Sequence, residues 1–288
     1  MSSQRLPFDI GIVGLGVAGT HQMSREAEET IRRCKQTFVI DSGAGVVHFL
    51  RRLCPKVTNL LTASIPGAPR RAFDRKIASI VVGAAMEEPP VCFAASGHPK
   101  VYCQPTTLIQ RAALVLNLKT SVLAGVSSLD SLFVELDVDP GDQGLQVYDA
   151  TDLVIRRRPL QTDVPCVIMQ APVVLQSRNA PGVPNLENLR ILQNYLLEFY
   201  PAHHQAVIVI SRTHPLLLSI KVTVPLGRLA HSLRQVAKSA TVYIPPVRHR
   251  EIEDNDLAKR FQVEAGGGAG KSGDVPRRPG RPPIGPPS

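Results

Sequence analysis

The sequence of 288 residues contains no tryptophan, and aromatic residues make up only 5% of it. It therefore lacks the stacking platforms by which proteins grip unpaired bases. Long apolar runs are also missing. Residues 79–86 and 206–210 are among the longest, far below the roughly 20 residues that a membrane-spanning helix needs. No signal-peptide core follows Met1-Ser2-Ser3-Gln4-Arg5, which leads straight into a strand-like run, so a cytoplasmic protein without membrane association is expected. The five cysteines, Cys34, Cys54, Cys92, Cys103 and Cys166, are odd in number and never spaced as CxxC. That pattern predicts neither a disulfide framework nor a structural zinc site, and reads as buried free thiols. His203-His204 has no third ligand at metal spacing, so no metal is expected.

What is there is a basic chain of ordinary globular composition, 43% hydrophobic with a formal charge of +9. Part of the charge lies at the end, where Lys271, Arg277, Arg278 and Arg281 stand against Asp274. Gly and Pro supply 13 of residues 265–288, so that segment reads as a disordered tail. The remaining +6, without aromatics to stack bases, points to an anion-attracting surface rather than to nucleic acid. Arg156-Arg157-Arg158 reads either as a solvated basic run or as a receiver for an acidic peptide or substrate carboxylate.

Strand-like and helix-like stretches alternate through the first half. Strands are expected at residues 10–13, 37–41, 57–60, 91–95 and 121–124, with helices at 25–34, 46–53, 73–85 and 105–116 and a loop over 62–71. Ser24 offers an N-cap to the first helix. This rhythm predicts a parallel sheet covered by helices on both faces. The second half holds strand-like runs at 145–148, 166–170, 207–210, 219–224 and 241–244, but only two clear helices, 186–199 and 226–237. A mixed sheet is expected there. The resulting organisation is an N-terminal α/β domain (1–124), a C-terminal α/β domain (125–248), a terminal helix (249–264) and the tail (265–288).

Two motifs could carry chemistry. Gly14-Leu15-Gly16-Val17-Ala18-Gly19 follows the first strand with the G-x-G-x-x-G spacing of a dinucleotide fold, and Asp41 stands where such a fold holds a ribose. On these residues a nicotinamide or flavin enzyme is open, as is a glycine turn that only packs strand against helix. Ser96-Gly97-His98-Pro99-Lys100-Val101-Tyr102 follows the fourth strand, where Gly-x-Pro makes a stiff loop at the carboxyl edge of a parallel sheet.

Taken in order with Gly125-Val126-Ser127-Ser128 after the fifth strand, these motifs resemble the tetrapyrrole (corrin/porphyrin) methylase superfamily. Within it they are most similar to the borosin peptide α-N-methyltransferases. The blocks 125–133, 137–140, 148–153 and 241–246 extend the likeness. The resemblance implies a two-domain fold with S-adenosylmethionine in the cleft between the domains. It assigns Gly97, His98, Pro99, Val101, Tyr102, Ser127, Ser128, Gln170, Ser211, Arg212, Thr213, Ala240 and Thr241 to that cofactor. It moves the first glycine turn to the substrate side of the cleft, with Gly14, Gly16, Phe73 and Ser96. Arg70 or Arg71 would be the catalytic arginine. The implied reaction is methylation of a peptide or small-molecule acceptor by a homodimer. A tetrapyrrole-precursor C-methyltransferase and a catalytically silent cofactor-binding scaffold are the alternatives. The chain departs from the borosin pattern where Phe73 and Ser96 replace tyrosines and Lys100 replaces a glycine. Those departures put backbone N-methylation in question and leave the cofactor half intact.

Overall fold

The computed structural model describes residues 7–40, 45–64, 66–178, 182–214 and 216–261. Residues 1–247 form one compact unit and 248–288 a second. Asp41 and the tail 265–288 lie outside the described residues.

The first sheet is built from β1 (Ile10–Gly14), β2 (Gln36–Val39), β3 (Lys56–Asn59), β4 (Val91–Ala95) and β5 (Thr120–Leu123), all parallel, in the order β3-β2-β4-β1-β5. Side chains alternate between its faces. Ile10, Ile12, Phe38 and Phe93 pack with α3 (Arg70–Glu87) and α4 (Gln104–Val115) on one side. Val13, Val39 and Ala94 pack with α1 (Arg25–Arg33) and α2 (Val46–Arg51) on the other. Burial on both faces is why β1 and β4 read as unbroken apolar runs rather than alternating ones. The helix after β1 covers one face and the helix after β4 covers the other, while β1 and β4 are neighbours. The chain therefore diverges between these two strands, at the crevice where open α/β sheets bind ligands.

Local signals set the helix ends. Ser24 Oγ accepts from Ala27 N at 3.1 Å and starts α1 as expected. The expected helix over 73–85 begins earlier, at Arg70 after Pro69, so both candidate arginines lie in its first turn and not in a loop.

The second sheet, β6 (Gln146–Asp149), β7 (Cys166–Met169), β8 (Gln205–Ile210), β9 (Ile220–Pro225) and β10 (Thr241–Ile244), runs β6-β7-β10-β8-β9. Its β6–β7 pair is parallel and its other pairs antiparallel, so it is mixed as the run of strands implies. Helices α8 (Leu186–Leu196) and α9 (Leu229–Arg234) cover one face. The other receives Leu129, Leu132 and Phe133 of α5 (Ser128–Leu136). Helices α5, α6 (Pro140–Gln143) and α7 (Ala150–Ile155) were not expected from periodicity. They are short, and α6 and α7 start from aspartate caps rather than from long apolar stripes. Within 249–264 a six-residue helix, α10 (Asn255–Arg260), is capped by Asp254. No described helix is long and apolar enough to cross a membrane.

Candidate functional site

At the divergence point three glycines touch backbone to backbone. A Cβ on Gly14 would lie 2.5 Å from Gly97 O and 2.7 Å from Gly125 Cα, so the ends of β1, β4 and β5 close up only without side chains. Gly16 and Gly97 form an antiparallel bridge, with Gly16 N donating to Gly97 O at 3.2 Å and Gly97 N to Gly16 O at 3.0 Å. Gly97 holds φ at +72°, which glycine adopts without strain. The glycine turn after β1 is thus a buttress for the loop after β4.

This geometry answers the dinucleotide reading. A pyrophosphate loop presents free amides at a helix N-terminus. Here Gly16 N is taken by Gly97, and Ala18 N donates to Gln22 Oε1 at 2.7 Å. The chain then enters a single 3-10 turn, Gly19–Gln22, instead of a long helix. Gly14 and Gly16 are buried in this backbone packing and line no described cavity, so their placement on the substrate side is corrected to a supporting role.

Beyond the buttress three cavities adjoin one another. The smallest, about 190 Å³, draws its lining from both sheets. Val17, Ser96, Gly97, His98, Val101 and Ser127 come from loops of the first, and Ser128 opens α5. Met169, Gln170, Ser211, Thr213, Ser239 and Thr241 come from β7, β10 and loops of the second. No side chain of fixed charge lines it. His98 accepts from Lys100 N at its Nδ1 (3.0 Å), which leaves Nε2 to carry the proton and donate. Gln170 sits at the end of β7 with φ +59°, as placed from the sequence.

Nine of the thirteen residues that the resemblance assigned to the cofactor meet in this cavity. The other four do not. Pro99 and Ala240 are buried beside it, Arg212 lines a separate cavity against α5, and Tyr102 turns to the next cavity. Ser127 is present, but its hydroxyl is occupied. It accepts from Leu129 N and Asp130 N at 3.2 Å each and donates to Asp130 Oδ2 at 2.6 Å, which makes it the N-cap of α5. Ser128 lines the cavity without a part in that cap. Val17, Met169 and Ser239 were missed, since nothing in their local sequence marks them.

A second cavity of about 270 Å³ is lined by Arg70, Lys100, Tyr102, Cys103, Asp149 and Gln170 among others. A third, about 620 Å³, shares Arg70, Gln170 and Val173 with it and adds Leu61, Pro66, Arg178 and Lys238. Arg70 therefore faces this space, whereas Arg71 lines none of the three cavities. Partial burial, then the charges of Asp149 and Asp152, push the Tyr102 phenol up to about 12, so it stays protonated and can donate. Burial raises the Asp74 carboxyl above its ordinary value, against the opposing pull of Arg70 one turn away. Phe73 packs against the core under α3 instead of reaching the cavities. The strap 66–70 is tied across to the second half by Arg70 N donating to Ser177 O at 3.0 Å and Arg178 Nη1 to Gly67 O at 2.9 Å.

The other polar candidates are structural. Arg156 and Arg158 pair with Asp152 and Arg157 pairs with Glu198, which makes the basic run a solvated, charge-compensated face. His204 Nε2 lies 2.8 Å from Pro245 O, and its ring stacks on Tyr200. Four of the five cysteines are buried as expected, but Cys103 is only partly buried and lines the second cavity.

Comparison with known proteins agrees with the architecture. Residues 9–213 match the model of the Tetrapyrrole (Corrin/Porphyrin) Methylases. The chain is 26% identical over 265 residues to the methyltransferase/omphalotin A precursor of Omphalotus olearius, covering 91% of this chain and 63% of that protein. It is 24% identical over 255 residues to the methyltransferase/dendrothelin A precursor of Dendrothele bispora, covering 87% and 61%. The chain thus spans about three-fifths of the length of these relatives. Among solved structures, the uroporphyrin-III C-methyltransferase of Thermus thermophilus, complexed with S-adenosylhomocysteine, superposes with a TM-score of 0.57. The identity is 14%, covering 82% of this chain and 97% of that one. The methyltransferase CobJ gives 0.59 at 11% identity, covering 85% and 97%. On the match of sequence to the family model, supported by the shared fold, the chain belongs to the tetrapyrrole (corrin/porphyrin) methylase family.

Proposed function

We propose that the protein is an S-adenosylmethionine-dependent methyltransferase that acts on a peptide or small-molecule acceptor. The observation that carries this reading is the small cavity where loops from both sheets meet behind the glycine buttress. Its lining suits the cofactor. Neutral hydroxyls, the Gln170 amide and the Met169 thioether meet a ligand that carries both signs of charge, and no lysine or arginine there repels a sulfonium. Gly97, His98, Val101, Ser128, Gln170, Ser211, Thr213 and Thr241 would hold it. When bound, the cofactor supplies an electrophilic methyl group.

The chain's own contribution is alignment and electrostatics. The stiff Gly97-His98-Pro99 loop, pinned to Gly16, fixes one wall. Arg70 faces the adjoining space, and its permanently charged guanidinium would stabilise an acceptor nitrogen as it loses its proton. A silent cofactor-binding scaffold is the second reading, favoured by Phe73, which packs against the core and lines none of the three cavities.

Calorimetry with S-adenosylhomocysteine and NAD tests the first step. Binding of the former and none of the latter is expected, and His98→Trp should abolish it by filling the cavity. Binding of NAD alone would sink the reading. A scaffold would bind S-adenosylhomocysteine yet release none in turnover with acceptor peptides. We further propose a homodimer, supported by the exposed apolar run Leu216-Leu217-Leu218, and light scattering at the monomer mass would refute it. A cytoplasmic location is proposed from the buried, unpaired thiols, and fractionation checks it.

A further inference from the structure

Some cations of this protein are held by carboxylates, whereas two that line the cleft have neutral hydrogen-bond partners. Outside, Arg32, Arg33, Lys35, Arg156, Arg157 and Arg158 all sit within 3.3 Å of a carboxylate oxygen. In the cleft, Lys100 donates to the side-chain amide of Gln110, and Arg178 donates to the backbone carbonyl of Gly67. These partners satisfy N–H groups and leave the positive charge uncompensated. Arg70 has the Asp74 carboxyl one turn on, which its charge attracts, so the Arg70 charge is matched in part. Asp149 also lines this space, its Oδ1 accepting from Thr151 N and Asp152 N at 2.9 Å each as the cap of α7, and its one negative charge stands against those of Lys100, Arg70 and Arg178.

The charges are also spread out. Lys100 and Arg70 line the second cavity, while Arg70 and Arg178 line the third, whose lining also includes Leu61, Pro66 and Val173. A compact anion such as phosphate would need donors converging on one point. Cations distributed over two adjoining cavities that also have apolar lining match an extended chain carrying both carboxylates and apolar groups.

Resting on the methyltransferase reading, we propose that the acceptor is an acidic peptide, selected by Lys100, Arg70 and Arg178 along the two larger cavities. The donor cavity adjoins these two through the shared Gln170, so a peptide lying in them passes the site of transfer.

Fluorescence anisotropy of a labelled dodecapeptide alternating Glu with Ala tests this, alongside its Gln counterpart, with and without S-adenosylhomocysteine. The Glu peptide should bind about tenfold or more tightly than the Gln peptide at low salt, an advantage that shrinks as salt screens the charges. Lys100→Glu and Arg178→Glu should each remove most of that advantage. Should Arg178→Glu fail to fold, Lys100→Glu alters an exposed side chain and carries the test alone. The Glu peptide should also protect Cys103 from iodoacetamide, because that thiol lines the same cavity as Lys100. Equal binding of both peptides, binding of neither, or equal protection of Cys103 by the small polycarboxylate tricarballylate overturns the proposal. Calorimetry of the same samples with S-adenosylhomocysteine keeps a failure of the cofactor reading distinct from a failure of this one.

Discussion

The five cysteines share a chemistry but not an environment. A hydrogen bond that the Cys92 thiol donates to Cys34, followed by burial, pushes Cys92 well above its ordinary value, and burial pushes Cys166 up to about 12. A raised thiol pKa shrinks the reactive thiolate fraction, so these groups stay inert at pH 8. Cys54 donates its thiol proton to Cys34 O at 3.3 Å inside the same core. Cys103 alone among the five is not buried. A native sample at pH 8 should therefore show one fast-reacting thiol and five after unfolding. A second fast thiol in the folded protein would contradict the burial of the other four. The scatter of cysteines along the chain foretold free thiols, but it could not tell which of them faces a cavity.

Helix α5 shows how one motif divides its work between neighbours. Its first residues come from the Gly125-Val126-Ser127-Ser128 block, and both serines were assigned to the cofactor on the strength of the resemblance. The element needs one of them for itself. Ser127 and Asp130 form a reciprocal cap that satisfies the first amides of the helix. Ser127→Ala should cost about 1 kcal/mol of stability in denaturant melts. Ser128→Ala should leave stability nearly unchanged and weaken S-adenosylhomocysteine binding instead. The opposite pattern would show that the cap and the ligand contact have been exchanged. Helix α3 makes a related point. Its start at Arg70 leaves Arg70 and Arg71 adjacent in one turn, and only the direction each faces separates a cavity residue from a solvated one.

At the scale of the molecule, the candidate site exists only where two differently built sheets face each other. The parallel sheet offers the carboxyl ends of β1, β4 and β5, and the mixed sheet offers the ends of β7 and β8 with the start of β10. Hydrogen exchange with and without S-adenosylhomocysteine should therefore show protection at 96–101, 126–129, 169–171 and 239–241 together. Protection confined to the turn at 14–19 would restore the dinucleotide reading.

The alternation of apolar runs with helical stretches was enough to determine the sheet types and nearly every strand, because burial on two faces or one leaves its mark in local periodicity. The ordered glycine, Gly-His-Pro and Gly-Val-Ser-Ser blocks were enough to determine the family. Tertiary structure decided the rest. Whether Gly14 and Gly16 cradle a ligand or brace Gly97 depends on which backbone lies 3 Å away, and that neighbour is some 80 residues distant in the chain. Whether the arginines at 156–158 or Lys100 and Arg178 present open charge depends on where the carboxylates fall, and spacing along one chain carries no record of that.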